Sequence, residues 1–163
     1  MLTRRVLLAA GVAGIGAVMG PLWRVAASRA DEVFEVAHTD EEWHKLLTPD
    51  QYAVLRKAAT ERPFSSPLNK EDRRGIYACA GCGLDLFSSE TKYDPGEGWP
   101  SFWQSLPNAV ATKSDKSYFM ERTEVHCRRC GSHLGHLFDD GPQPTGLRYC
   151  MDGLALTFKP AAA

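Results

Sequence analysis

The stretch His126–Pro142, HCRRCGSHLGHLFDDGP, decides how this chain is read. Cys127 and Cys130 stand two residues apart with Gly131 directly after them, so two sulfurs lie about a turn apart and the backbone is free to fold back. Working outward, the same arrangement recurs upstream as Cys79-Ala80-Gly81-Cys82-Gly83. The two pairs together supply four thiolates, the donor set of a closed tetrahedral structural zinc site. Arg128 and Arg129, inside the second pair, are placed in the sequence to offset the excess negative charge of such a centre. Two local disulfides compete with this reading, although each would close a very small loop and stabilise little. A thioredoxin-like redox pair is a third reading, without the βαβ context it requires.

Around these pairs the texture is that of short strands. Apolar or aromatic runs cut by turn residues occur at Gly75–Ala78, Leu84–Phe87, Ser117–Met120, Thr123–Val125, Leu134–Phe138 and Leu154–Phe158. Before them, Thr39-Asp40-Glu41-Glu42 has capping-box spacing ahead of Trp43, Leu46 and Leu47. Thr48-Pro49-Asp50-Gln51 repeats the signal with proline at the first helical position, and Tyr52, Leu55 and Ala59 follow at helical spacing. The expected architecture is mainly β, two antiparallel sheets with a short helical pair at the N-terminal side covering part of one core.

The first 30 residues read differently. Arg4 and Arg5 precede an apolar run from Val6 to Trp23, and small residues at Ala27 and Ala30 offer cleavage points. This is the pattern of a twin-arginine export signal, read by a receptor as an address, with an uncleaved membrane anchor as the alternative. The expectation is an exported protein of the periplasm or cell envelope, a tether at 31–38, and one domain at 39–160 without stable membrane insertion once the signal is gone. Residues 1–30 hold Arg4, Arg5, Arg24, Arg29 and no acid, so the 19 basic residues fall to 15 against 20 acidic ones, a formal charge of −5. That balance provides no phosphate-neutralising surface, which sets nucleic acid aside.

Five cysteines are present and the pairs use four, leaving Cys150 in Arg148–Phe158, RYCMDGLALTF. His133 and His136 lie three residues apart, a spacing that on a strand does not fix a common face. They read either as hydrogen-bonded structural histidines or, if they approach Cys150, as its proton partners. Gly96–Trp103, GEGWPSFW, is equally open: a core cluster, or a turn presenting an indole to a small apolar pocket.

Taken in order, LTPDQY, ERPFSSPL, Cys79-x-x-Cys82, GWPSF, HCRRCGSHLGHLFDDGP and RYCMDGLALTF closely resemble the methionine-R-sulfoxide reductases of the B type, from Leu46 to Phe158. The resemblance implies two antiparallel sheets leaning together in a tent, zinc held by Cys79, Cys82, Cys127 and Cys130, and an active site apart from it. It maps the nucleophile onto Cys150, the pocket tryptophan onto Trp99, the active-site histidines onto His133 and His136, and a nearby arginine onto Arg148. Phe102 is expected to join Trp99 around the substrate methyl group. Arg148 is expected to favour the Cys150 thiolate, and His136, oriented with help from His133, to protonate the sulfoxide oxygen. The implied substrates are oxidised methionine residues of proteins, and the enzyme is expected to be a monomer.

Two departures from the family pattern carry consequences. Where many members have a resolving cysteine just before the Gly-Trp-Pro turn, this chain has Glu97. The expectation is a one-cysteine enzyme whose Cys150 sulfenic acid is discharged by an external thiol, thioredoxin-like or other. Where the family usually has asparagine two residues after the nucleophile, this chain has Asp152. A carboxylate cannot donate to a sulfoxide as an amide can, so Asp152 either keeps His136 protonated or repels the thiolate. The rival readings are a cysteine hydrolase, lacking an identifiable oxyanion hole, and a non-catalytic zinc module using its aromatic residues to bind a ligand.

Overall fold

Both helices start where threonine caps them. Thr39 and Thr48 each accept a hydrogen bond from the backbone three residues on, while Glu42 and Gln51 reach back to the cap N–H groups, opening α1 (Asp40–Leu46) and α2 (Pro49–Lys57). Such caps contribute about 0.5–2 kcal/mol each, enough to matter in helices this short. Trp43 is buried under α2, with the Arg56 guanidinium 4.7 Å above its ring. Helix α2 stops at Ala58, whose left-handed φ of 53° turns the chain toward the sheets.

The computed structural model describes residues 33–117 and 120–162. The export-signal reading at 1–30 lies outside them, as do the first two residues of the 31–38 tether. The rest of that tether is packed: Val36 N–H donates to the Arg129 carbonyl at 3.0 Å, and Phe34 lies against Gly131. No helix among the described residues is long and apolar enough to cross a membrane.

The strands are β1 (Gly75–Cys79), β2 (Asp85–Ser88), β3 (Lys92–Tyr93), β4 (Ser101–Phe102), β5 (Val110–Asp115), β6 (Arg122–Cys127), β7 (His133–Phe138), β8 (Arg148–Met151) and β9 (Leu156–Pro160). All pair antiparallel, in one sheet ordered β2-β1-β9 and a second ordered β3-β4-β8-β7-β6-β5. The architecture is therefore mainly β with two antiparallel sheets and two helices.

The strand expected at Ser117–Met120 is not formed at Ser117 or Met120, and the two residues between lie outside the described set. The strand that does form is β5, whose residues are half-buried or exposed. An edge strand with little to bury shows no apolar alternation, so its sequence hides it. Strands β3 and β4, of two residues each, are too short to show a pattern, and β8, Arg148–Met151, is not marked by an apolar run.

The sheets meet over an aromatic core. Phe102 stacks on Phe87 with centroids 4.4 Å apart and meets Tyr77 edge-on at 4.9 Å. Burial of side chains of this size contributes about 1.5–3 kcal/mol each. Met151, Val125 and Leu134 complete the same core, so β8 turns Tyr149 and Met151 inward and leaves Arg148 and Cys150 on its other face.

Candidate active site and metal centre

Four sulfurs converge where the sheets join. Cys79 and Cys82 come from the end of β1 and the turn beyond, Cys127 and Cys130 from the end of β6 and its turn. All four Sγ atoms lie within 4.8 Å of one another, with Cys79 to Cys130 at 3.7 Å and Cys82 to Cys127 at 3.5 Å. A tetrahedron with metal–sulfur bonds of about 2.3 Å has edges near these values. The closest sulfurs belong to different pairs and all five cysteines are free, so local Cys-x-x-Cys disulfides are not what the geometry provides. Gly83 and Gly131 sit at φ +72° and +66°, which lets each turn curl around the sulfurs. Arg128 and Arg129 do not serve the cluster as their sequence position suggested: they engage the Asn108 carbonyl and Glu35. The guanidinium that reaches it is Arg56, donating to the Cys130 carbonyl at 3.2 Å.

Cys150 stands outside that cluster, in a row set by strand register. It faces Ser101 of β4 on one side and His136 of β7 on the other, and His136 faces Glu124 of β6. Directly opposed residues of an antiparallel pair have Cβ atoms about 4.5–5.5 Å apart, so His136 is the immediate neighbour of Cys150. A cavity of about 130 Å³ opens over them, lined by Trp99, His136, Cys150, Asp152, Arg148 and Glu97 among others. Burial pushes the Cys150 thiol up to about 11, against an opposing effect of Arg148. The arginine alone therefore does not make the resting thiol an anion, because it is already committed. Its guanidinium forms a two-pronged pair with Asp140 at 2.7 Å and stacks over Phe138 at 4.4 Å.

The histidines do share a face, for a reason the spacing conceals. Gly135, between them, has φ +149°, and a β-carbon there would lie 2.1 Å from the Cys150 carbonyl oxygen. This irregularity sends Leu134 into the core while the rings of His133 and His136 meet at 5.4 Å. His136 Nε2 lies 2.8 Å from Asp115 Oδ2, which also accepts from Arg122. Hydrogen bonds from Ser117, His136 and Arg122 hold the Asp115 carboxyl well below the usual range, so it accepts and Nε2 carries the hydrogen. Burial depresses the His136 pKa despite Asp115, which favours the neutral ring with Nδ1 as its acceptor. His133 Nδ1 meets Glu124 at 3.0 Å, while its Nε2 has no hydrogen-bond partner among the described residues and stands 3.8 Å from Asp152.

Asp152 thus faces His133, not His136 as expected, because His136 has its own carboxylate in Asp115. Burial pushes the Asp152 carboxyl up to about 6. Its Oδ1 accepts from the Glu61 N–H at 2.9 Å, and the Glu61 carbonyl accepts from Trp99 Nε1 at 3.2 Å. Trp99 therefore stands at the cavity as expected. Phe102 does not: it is 0% exposed, on the opposite face of β4 from Ser101, inside the aromatic core. Asp115 and Glu61 join the hydrogen-bonded set around the cavity without having been singled out in the sequence. Asp115 lies in none of the quoted motifs, and Glu61, the first residue of ERPFSSPL, stands there only as part of the family pattern.

The chain matches the SelR domain family over residues 47–160. It is similar to a peptide methionine sulfoxide reductase MsrB of Methanosarcina barkeri, 56% identical over 125 residues that cover 76% of this chain and 88% of the relative. A protein of the same description from Leptospira interrogans is 53% identical over 127 residues, covering 77% and 97%. Among solved structures, a Mis18 Yippee-like domain aligns with a TM-score of 0.46 at 14% identity, covering 56% of this chain and 100% of that one.

Proposed function

The chain belongs to the SelR domain family and is a peptide methionine sulfoxide reductase, an oxidoreductase, and on that premise we propose that Cys150 attacks the sulfur of peptidyl methionine-R-sulfoxide and becomes a sulfenic acid. The observation that carries this is the register that sets Cys150 beside His136 under Trp99, apart from the four-cysteine cluster.

The resting thiol is protonated, so the reaction must move that proton as the sulfurs meet. His136, with Nε2–H anchored on Asp115, takes it at Nδ1 and gives it to the sulfoxide oxygen. Attack joins Cys150 Sγ to the substrate sulfur. The protonated oxygen then passes to Sγ as the substrate S–O bond and the new sulfur–sulfur bond break, leaving S–OH on Cys150 and releasing the thioether, so the substrate sulfur is reduced by two electrons and Cys150 oxidised by two. Trp99 walls the methyl side and excludes water. An external thiol then attacks the sulfenic acid with loss of water, and a second thiol frees Cys150 as the donor disulfide departs. Cys79, Cys82, Cys127 and Cys130 would hold one zinc ion, which supplies folding energy and takes no part in the reaction.

Two experiments test this reading. Treating the protein with stoichiometric methionine-R-sulfoxide, without reductant, leaves Cys150 labelled by dimedone in the mass spectrum, and the S epimer leaves it unlabelled. An intramolecular disulfide containing Cys150 would reject the one-cysteine route. The second concerns Asp152. Below about pH 6 its carboxyl holds a proton and donates to the sulfoxide oxygen, whereas above it the anion donates nothing and opposes the thiolate. Asp152→Asn supplies a permanent donor without charge, so it raises the rate about tenfold at pH 7 and changes it little at pH 5. A wild-type pH-rate curve lacking a fall near pH 6, or kept unchanged by the substitution, rejects this role.

A further inference from the structure

Glu61 gathers four hydrogen bonds onto one residue. Its carboxylate accepts from Gly153 N–H at 2.7 Å and Leu154 N–H at 3.1 Å, fixing the turn that follows Cys150 and Asp152. Its own N–H donates to Asp152 Oδ1 at 2.9 Å and its carbonyl accepts from Trp99 Nε1 at 3.2 Å. The residue is 9% exposed. A buried carboxylate is costly compared with an apolar side chain of similar volume, and burial raises its pKa against the two backbone hydrogen bonds. Fold stability alone gives poor reason for a charge here. Both walls of the cavity, however, are tied to this one residue, which α2 delivers to the site through the left-handed turn at Ala58.

We propose that Glu61 is a positioning residue that holds Trp99 and Asp152 as a single unit over Cys150 and, through its charge, favours the proton-bearing form of Asp152. The inference rests on the sulfoxide-reduction reading above and adds to it the residue that sets the geometry and protonation of the site. Asp152 meets Glu61 from the segment after α2 and His133 from β7, and it shares the cavity with His136 from β7, Cys150 and Arg148 from β8, Arg122 from β6, and Glu97 from the turn before β4. Glu61, Glu97 and an ionised Cys150 oppose a charge on Asp152, whereas Arg148, Arg122 and protonated histidines favour one. Of these, Glu61 alone both bonds to Asp152 and carries a charge of like sign.

Glu61→Gln tests this, because glutamine keeps the shape but loses the charge and replaces one of the two acceptor oxygens with an NH₂ donor. The fall of kcat/KM with rising pH that belongs to Asp152 moves to lower pH by about one unit, and kcat/KM at pH 7 drops about tenfold. In an Asp152→Asn background the same substitution leaves the pH profile where it was. An unmoved profile in the first background, or an equal shift in the second, overturns the proposal. If Glu61→Gln does not fold, NMR of the wild-type protein decides: the Trp99 indole N–H and Glu61 amide resonances follow the Asp152 carboxyl through one common midpoint, and resonances that stay fixed overturn the proposal. Full activity in Cys150→Ser would instead overturn the underlying mechanism, which keeps the two failures distinct.

Discussion

Cys150→Ser reduces sulfoxide reduction by at least about a thousandfold, while metal content and fold remain those of the wild type. A serine hydroxyl is a far weaker nucleophile toward sulfur and cannot climb the oxidation ladder by two electrons, so both halves of the cycle are lost. The side chain lies on the cavity face of β8, and the core face of that strand is held by Tyr149 and Met151, so the swap leaves packing almost untouched. The four sulfurs positioned to hold a metal ion are others. The measurement is steady-state turnover of a peptide methionine-R-sulfoxide with dithiothreitol, alongside metal analysis and circular dichroism. Retained turnover would remove Cys150 from the chemistry. Lost metal would place it in the wrong cluster, and intact ligand binding without any wild-type turnover would favour a recognition module.

Stripping the metal unfolds the domain. The four cysteines join β1 and β6, which belong to different sheets, at the point where the sheets converge. Structural zinc binding in zinc-finger peptides near neutral pH is worth about 10–16 kcal/mol, comparable to or more than the whole stability of a typical domain, about 5–15 kcal/mol. Removal leaves four thiols crowded at 3.5–3.7 Å contacts with nothing to hold them. The apo protein, or Cys130→Ser, should lose its near-ultraviolet circular dichroism and its cooperative melting transition together. An apo form that melts within a few degrees of the holo form would show that aromatic packing, not the ion, unites the sheets. Activity falls with the fold, because Cys150 and Ser101 lie on strands of the larger sheet, in which β7 links β8 to β6, the strand that carries Cys127.

Much of this molecule was legible in its sequence wherever the controlling interaction is local. Thr39 and Thr48 cap helices because the partner N–H lies three residues away. The Cys-x-x-Cys spacing places two sulfurs within one turn, and the odd cysteine follows by subtraction. What only the tertiary structure decided depends on which strands lie side by side. Phe102 faces the core because β4 pairs with β8 in the register that turns Ser101 toward Cys150. His133 and His136 share a side because Gly135 breaks the alternation of β7. Asp115 serves His136 from 21 residues away and Glu61 serves Asp152 from 91. Periodicity and spacing encode contacts within a turn or a strand, whereas these depend on chain segments meeting only once the sheets have closed.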